Sequence, residues 1–101
     1  LDEILKRRPD ADAYFWGTHN GAELDLLLIE RGKRTGYEIK YTDSPRVTPS
    51  MHIAVKDLRL DHLHIIYPGD KSYPLQSKIS VTNPGALNQP MRFYRVRLKG
   101  P

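Results

Sequence analysis

Four charged residues in two short segments have the types and spacing that phosphodiester chemistry uses. Glu23 and Asp25 are separated by one residue. Glu38 and Lys40 repeat that spacing further along the 101-residue chain. In a β-strand, alternate residues point to the same face of the sheet. If both segments are strands, each pair presents its charges on one face, and the pairs meet where the strands are neighbours.

The register of the hairpin decides how these pairs meet. In an antiparallel pair, residues directly across from each other share a face. A turn that starts at Glu30 and closes at Thr35 places Asp25 across from Lys40, with Glu38 one diagonal step away. A turn that closes at Lys33 instead places Asp25 directly across from Glu38. Either closure predicts the same cluster of side chains.

Clustered carboxylates that are partly desolvated repel one another unless a cation compensates their charge. Asp25, Glu38 and the carbonyl oxygen of Ile39 offer hard oxygen ligands of the kind that Mg²⁺ or Mn²⁺ prefers. Lys40 would then hold the attacking water or stabilise charge on the phosphate, and Glu23 would support the metal or the lysine. The alternative interpretation is a solvated polar face with cross-strand ion pairs, such as Asp25 with Lys40.

Aromatic and aliphatic segments bounded by turn residues predict three consecutive strands around these residues. The strands cover residues 13–16, 24–29 and 35–41, with turns at 18–21 and 31–34. The second strand is apolar on both faces, with Leu24, Leu26 and Leu28 on one side and Glu23, Asp25, Leu27 and Ile29 on the other. Such a strand is expected to be central and covered by helices on both sides.

A helix over residues 49–59 is predicted because Thr48 can cap its free N–H groups and Pro49 suits its first turn. Its apolar stripe consists of Met51, Ala54, Val55 and Leu58. A strand at 62–67 should then lie parallel to the third strand, which predicts a mixed sheet. Further strands are predicted at 78–82 and 91–98, and the opening residues are typical of the end of an amphipathic helix.

The composition is that of one globular domain, with 39% apolar and 28% charged residues. The absence of cysteine excludes disulfide scaffolds, thiolate zinc sites and thiol nucleophiles. No apolar run approaches the roughly 20 residues of a membrane helix, so a soluble, cytoplasmic domain without a membrane partner is expected. The net charge of +4 weakly favours a polyanionic partner. Because the chain starts at Leu1 within a predicted helix, it is predicted to be a piece of a longer protein.

Two segments resemble the PD-(D/E)XK, or restriction-endonuclease-like, nuclease superfamily. Residues 21–28 look like that family's metal-binding aspartate strand, and residues 37–41 look like its E-x-K strand. The predicted order of helix, three strands, helix and strand (αβββαβ) is also that of the family's core. More narrowly, the chain resembles the uncharacterised C-terminal domain of many prokaryotic AAA-type ATPases, through Tyr14-Phe15-Trp16, residues 20–25, residues 38–41 and Tyr67-Pro68-Gly69.

This resemblance covers about residues 1–75 and implies one α/β nuclease-like domain over 1–101, with a C-terminal extension over about 76–101. It implies a Mg²⁺- or Mn²⁺-dependent nuclease that acts on DNA beside the ATPase domain of its parent chain. Asp25 and Glu38 would be ligands, Lys40 would be catalytic, and Glu3 is the candidate for an acid that the superfamily often places on its first helix. The alternative is a non-catalytic module that docks nucleic acid or protein, or regulates the ATPase, because relatives can keep the fold without the chemistry.

Several other residues are weaker candidates. Lys56 on the predicted helix, and Arg95 and Arg97 on the last strand, are candidate nucleic-acid contacts. The two arginines have an alternative role in protecting an exposed sheet edge. His62 and His64 could ligate a metal, but without a third ligand at useful spacing they are better interpreted as ordinary strand residues. His19, in the turn before Glu23, is either an exposed turn residue or a phosphate contact.

Overall fold

A computed structural model describes residues 12–18, 21–86 and 95–99. In chain order the elements are β1 (Asp12–Gly17), β2 (Glu23–Glu30), β3 (Lys33–Ile39), α1 (Pro49–Asp57), β4 (His62–Ile66), β5 (Tyr73–Gln76), β6 (Ile79–Thr82), a 3₁₀ turn (Pro84–Ala86) and β7 (Arg95–Lys99). The predicted opening helix with Glu3, and His19, lie outside the described residues. Within the described residues, no helix is long and apolar enough to cross a bilayer.

The strands form one mixed sheet in the order β5-β6-β4-β3-β2-β1-β7. The hairpins β1–β2, β2–β3 and β5–β6 are antiparallel, whereas β3–β4, β4–β6 and β1–β7 are parallel. The α/β class, the mixed sheet and the parallel pairing of β3 with β4 across α1 are therefore confirmed. The interior position of β2 is also confirmed. The strand β5 is not among the predicted strands, and it lies at the sheet edge, where a strand can accommodate Pro74.

The helix α1 has the predicted cap and the predicted apolar face. The hydroxyl of Thr48 accepts a hydrogen bond from the Met51 amide, and Pro49 occupies the first turn, where its missing N–H is not needed. The predicted stripe packs with β2 and β4 into one core cluster, which contains Leu24, Leu27, Met51, Ala54, Leu58, Leu60, Leu63, Ile65 and Ile79. A second cluster lies apart from α1 and contains Ala13, Leu26, Leu28, Tyr37 and Ile66.

The turn between β2 and β3 contains only Arg31 and Gly32, and both have positive φ, at 53° and 79°. This backbone matches the right-handed twist of a tight hairpin. The turn predicted over residues 31–34 is therefore too long, since Lys33 and Arg34 already belong to β3. Glu30 pairs with Lys33, so the hairpin has the closure that places Asp25 opposite Glu38.

The predicted alternation along β2 is wrong at its start. Leu24 packs in the same cluster as Leu27, whereas Leu26 and Leu28 pack in the other one. The cause is a β-bulge, because the register against β1 shifts between the pairs Tyr14–Leu27 and Trp16–Leu24. Asp25 and Leu26 together face the single residue Phe15, so side chains before and after the bulge no longer follow one alternation.

Close packing explains the glycine in the middle of β3. A Cβ atom at Gly36 would lie 2.7 Å from a methyl carbon of Leu60 and 3.0 Å from one of Leu63, and both leucines are buried. We expect Gly36→Ala to destabilise the domain by about 1–3 kcal/mol through overpacking, as measured by urea unfolding. Gly17→Ala in β1 is the matched control, because its nearest neighbours would be 3.9 Å away. Equal unfolding midpoints for the two variants would contradict this account.

Candidate functional site

The strands β2 and β3 separate at the place where the predicted site lies. Their last residue pair is Leu26–Tyr37. Beyond this pair, β2 continues beside β1 as far as Glu23, and β3 continues beside β4 as far as Ile39. A gap therefore opens between two strands whose outer partners remain in place, and the predicted acidic residues lie at its entrance.

Asp25 connects the two strands across this gap. Its carboxylate oxygen Oδ2 accepts a hydrogen bond from the backbone N–H of Ile39 at 2.8 Å. A strand carbonyl would normally satisfy this amide, but β2 has already separated from β3 here. The bulge at Asp25 thus directs a carboxylate to a backbone donor that the sheet no longer serves.

Glu38 is the next residue opposite Asp25 in the hairpin register, and the two carboxyl groups share a hydrogen bond. Burial, that hydrogen bond and the charge of Asp25 raise the pKa of Glu38 from 4.5 to about 8, despite an opposing effect of Lys40. At neutral pH Glu38 therefore retains its proton. Glu38 is partly buried, whereas the alternative interpretation describes a solvated polar face.

Lys40 and Glu23 are the other two charged residues of the predicted set. The positive charge of Lys40 acts on Glu38 and lowers its pKa, whereas Glu23 contributes the smallest effect, which raises that pKa. Lys40 is partly buried, and Glu23 is exposed. The structure thus brings Asp25 and Glu38 into contact, places Lys40 within electrostatic reach and leaves Glu23 at the solvent side.

The carbonyl group of Ile39 faces the gap. The amide of Lys40 donates to the Ile66 carbonyl on β4 at 2.9 Å. In a trans peptide the N–H and C=O groups point in opposite directions, and no cis peptide is found in the described residues. The Ile39 oxygen therefore points away from β4, to the side where Asp25 lies.

These groups fit a small divalent cation. Two carboxylates and a backbone carbonyl are hard oxygen donors, and Mg²⁺ commonly keeps several waters beside one or two protein carboxylates. A bound cation would also displace the proton that Glu38 retains at neutral pH. Among residues 12–18, 21–86 and 95–99, no three His, Cys, Asp or Glu side chains form a metal-binding group. A bound ion would therefore need the carbonyl and solvent to complete its shell.

Ser50, which the sequence analysis did not single out, also contacts this region. Its hydroxyl accepts a hydrogen bond from the Glu23 amide at 2.9 Å and donates one to the Glu23 carbonyl at 3.2 Å. A serine at the second position of a helix does not by itself predict this contact with the Glu23 backbone. The contact depends on the separation of β2 from β3, which lies elsewhere in the chain. The first turn of α1 is thereby fixed to the strand that carries Asp25.

The candidate nucleic-acid contacts lie on separate elements. Lys56 is an exposed residue in the last turn of α1. Arg95 and Arg97 belong to β7, which pairs with β1 at the edge of the sheet. The edge position agrees with either role suggested for the arginines, so their contact with nucleic acid stays a prediction.

His62 and His64 belong to the sheet rather than to the carboxylate centre. Their rings contact the hydroxyl groups of Ser80 and Thr82, at 2.8 Å and 2.9 Å, on the neighbouring strand β6. Burial and the charge of Lys33 lower the pKa of His62. Both histidines line a groove of about 470 Å³ together with Lys33, Thr35 and Asp61. Their hydrogen bonds to β6 are contacts that ordinary strand residues make.

The fold and the site together define a mixed α/β domain with a paired carboxylate centre where two strands separate. The chain belongs to the family described as Domain of unknown function (DUF4143), which matches residues 1–87. It is 42% identical over 79 residues to an uncharacterised protein of Mycobacterium tuberculosis and to one of Mycobacterium bovis. Each match covers 78% of this chain and 18% of the relative. No solved structure gives a significant match.

Proposed function

We propose that this domain is a metal-dependent nuclease-like module with a restriction-endonuclease-like core, and that it hydrolyses phosphodiesters of nucleic acid, with DNA as the expected substrate. The observation that carries the proposal is the Asp25–Glu38 pair at the gap between β2 and β3, with Lys40 within electrostatic reach. A purely structural role gives no reason for two acidic side chains to meet at the gap between these strands.

Asp25, Glu38 and the Ile39 carbonyl would hold Mg²⁺ or Mn²⁺. When bound, such an ion neutralises charge on the phosphate and lowers the pKa of water for attack. The amide of Ile39 holds the Asp25 carboxylate in place through its hydrogen bond. Lys40 would hold the attacking water and stabilise negative charge on the phosphate oxygens. Glu23, at the solvent side, would keep the lysine oriented.

The parent protein is proposed to be an AAA-type ATPase with this domain near its C-terminus. The chain spans only 18% of the length of the mycobacterial relatives, which leaves ample room for another domain in a protein of this family. The ATPase domain would then be a partner within the same chain.

The test of the metal centre is a calorimetric titration with Mn²⁺, combined with a plasmid-nicking assay with Mg²⁺ and Mn²⁺. We expect the wild-type protein to bind Mn²⁺ and nick plasmid only with a divalent cation present. We expect Asp25→Asn to weaken Mn²⁺ binding by about 10- to 100-fold, because it removes an anionic ligand. The asparagine oxygen can still accept the hydrogen bond from the Ile39 amide, so the fold should persist.

Asp43→Asn is the matched control, because it removes one negative charge from an exposed position after β3. It should bind Mn²⁺ as the wild-type protein does. Absence of wild-type binding at millimolar Mn²⁺, or equal weakening in both variants, would refute the metal centre.

The second candidate function is a non-catalytic module that binds nucleic acid or protein and regulates or targets the ATPase. It is favoured by the small donor set, since only two acidic side chains among the described residues meet at the centre. Mobility-shift binding of DNA by a wild-type protein that gives only background nicking would support this function over catalysis.

A further inference from the structure

The hydroxyl of Ser50 occupies a place where a neighbouring strand would normally lie. The Ala22 carbonyl accepts a hydrogen bond from the Thr18 amide, on the side of β2 that faces β1. Because the Glu23 N–H belongs to the same peptide unit, it points to the opposite side, into the gap left by β3. Ser50 reaches this N–H and also the Glu23 carbonyl. One side chain of α1 thus satisfies both backbone groups of a strand residue that has no β3 residue paired with it.

On both sides of the gap, side-chain hydrogen bonds therefore replace the backbone hydrogen bonds that β2 and β3 no longer make with each other. Asp25 of β2 accepts from the Ile39 amide of β3 at 2.8 Å, and Ser50 of α1 binds Glu23 of β2. Unsatisfied backbone groups would otherwise favour closure of the gap or entry of solvent. The Asp25 contact spans the gap between β2 and β3, and the Ser50 contact fixes the β2 side of the gap to α1.

We propose that Ser50 is a positioning residue of the candidate metal centre, because it holds β2 at the separation from β3 that lets Asp25 and Glu38 share one divalent cation. This inference rests on the proposed function. Serine suits the role since its hydroxyl both donates and accepts. Threonine retains this ability, whereas alanine loses both hydrogen bonds.

The proposal is tested by Mn²⁺ titration and amide hydrogen exchange on the wild-type chain, Ser50→Ala and Ser50→Thr. We expect Ser50→Ala to increase the exchange rate of the Glu23 amide and to weaken Mn²⁺ binding by about tenfold, as loss of a supporting contact commonly does at metal sites. Ser50→Thr should restore Mn²⁺ affinity to within about threefold of wild type.

Thr48→Ala separates positioning from simple stabilisation of α1. It removes the cap that binds the Met51 amide but leaves the Ser50 contact with Glu23. We expect it to lower the melting temperature while Mn²⁺ affinity stays within about twofold of wild type.

Each remaining outcome is decisive. If the wild-type chain does not bind Mn²⁺, the proposed function and this inference fall together. If the wild-type chain binds Mn²⁺ and Ser50→Ala binds it equally well, only the role of Ser50 is overturned. Equal weakening by Thr48→Ala and Ser50→Ala would also overturn it, because helix stability alone would then account for the effect.

Discussion

Replacing Lys40 with methionine is expected to reduce metal-dependent cleavage of DNA by about 100- to 1,000-fold, the range seen when one group that stabilises transition-state charge is removed. Methionine keeps an unbranched side chain of similar length, so the packing of the partly buried lysine stem is largely retained. Mn²⁺ affinity should change only a few-fold, because Lys40 is not a ligand in the proposed centre. The measurement is the rate of plasmid nicking at saturating Mn²⁺, with calorimetry of the same protein.

Lys78→Met is the control for this experiment. It removes the same charge from an exposed residue between β5 and β6, on the far side of the sheet from the carboxylate pair. Its rate should match that of the wild-type protein. Cleavage by Lys40→Met at the wild-type rate would remove the lysine from the proposed mechanism.

The Asp25–Glu38 pair is expected to make both stability and metal affinity depend on pH. The folded-state pKa of Glu38 is about 8, above the value of 4.5 for a free carboxyl group. The folded protein thus retains a proton that the unfolded chain releases, so the stability of the metal-free protein falls as pH rises from about 4.5 to 8. Because Glu38 is partly solvated, we expect a loss of about 1–2 kcal/mol rather than the full linkage value.

Mn²⁺ affinity should change in the opposite direction. The ion binds the ionised pair, so its affinity should rise by up to about tenfold per pH unit between pH 6 and 8 and level off above pH 8. Thermal unfolding in chelator and Mn²⁺ calorimetry at pH 6, 7, 8 and 9 measure the two effects.

Glu38→Gln supplies the comparison, because an amide resembles the protonated carboxyl group and does not titrate. The free energy of unfolding of Glu38→Gln should not show this fall as the pH rises. The Asp43→Asn variant should behave as the wild-type protein does. A wild-type pH profile that coincides with that of Glu38→Gln would contradict the assigned pKa shift.

The elements around the site were largely predictable because their signals are local. Thr48 and Pro49 mark the start of α1, and the two antiparallel strands follow from their apolar pattern. The sequence allows the hairpin to close at either Lys33 or Thr35. Arg31 adopts a positive φ, which is uncommon for arginine and is therefore not predicted from the residue type. This conformation shortens the turn to two residues.

The finer geometry of the site depends on contacts between distant segments. The bulge at Asp25 arises from pairing with β1, and nothing in the local sequence breaks the alternation of β2. The Ser50 contact exists only because β3 leaves β2 at Tyr37. Sequence patterns could therefore place Asp25 and Glu38 near each other, but they could not show the gap that brings their carboxyl groups into contact.

The two-residue turn at Arg31 and Gly32 constrains the number of residues between Asp25 and Glu38. Since every pair from Glu30–Lys33 to Leu26–Tyr37 follows from that turn, adding a single residue to it would slide one strand past the other and separate the two acids. Related chains should therefore keep residues that accept a positive φ at the turn and a nearly invariant number of residues between the aspartate and the glutamate. The loop from Tyr41 to Val47 does not set the register of a strand pair. We therefore expect insertions to accumulate in this loop.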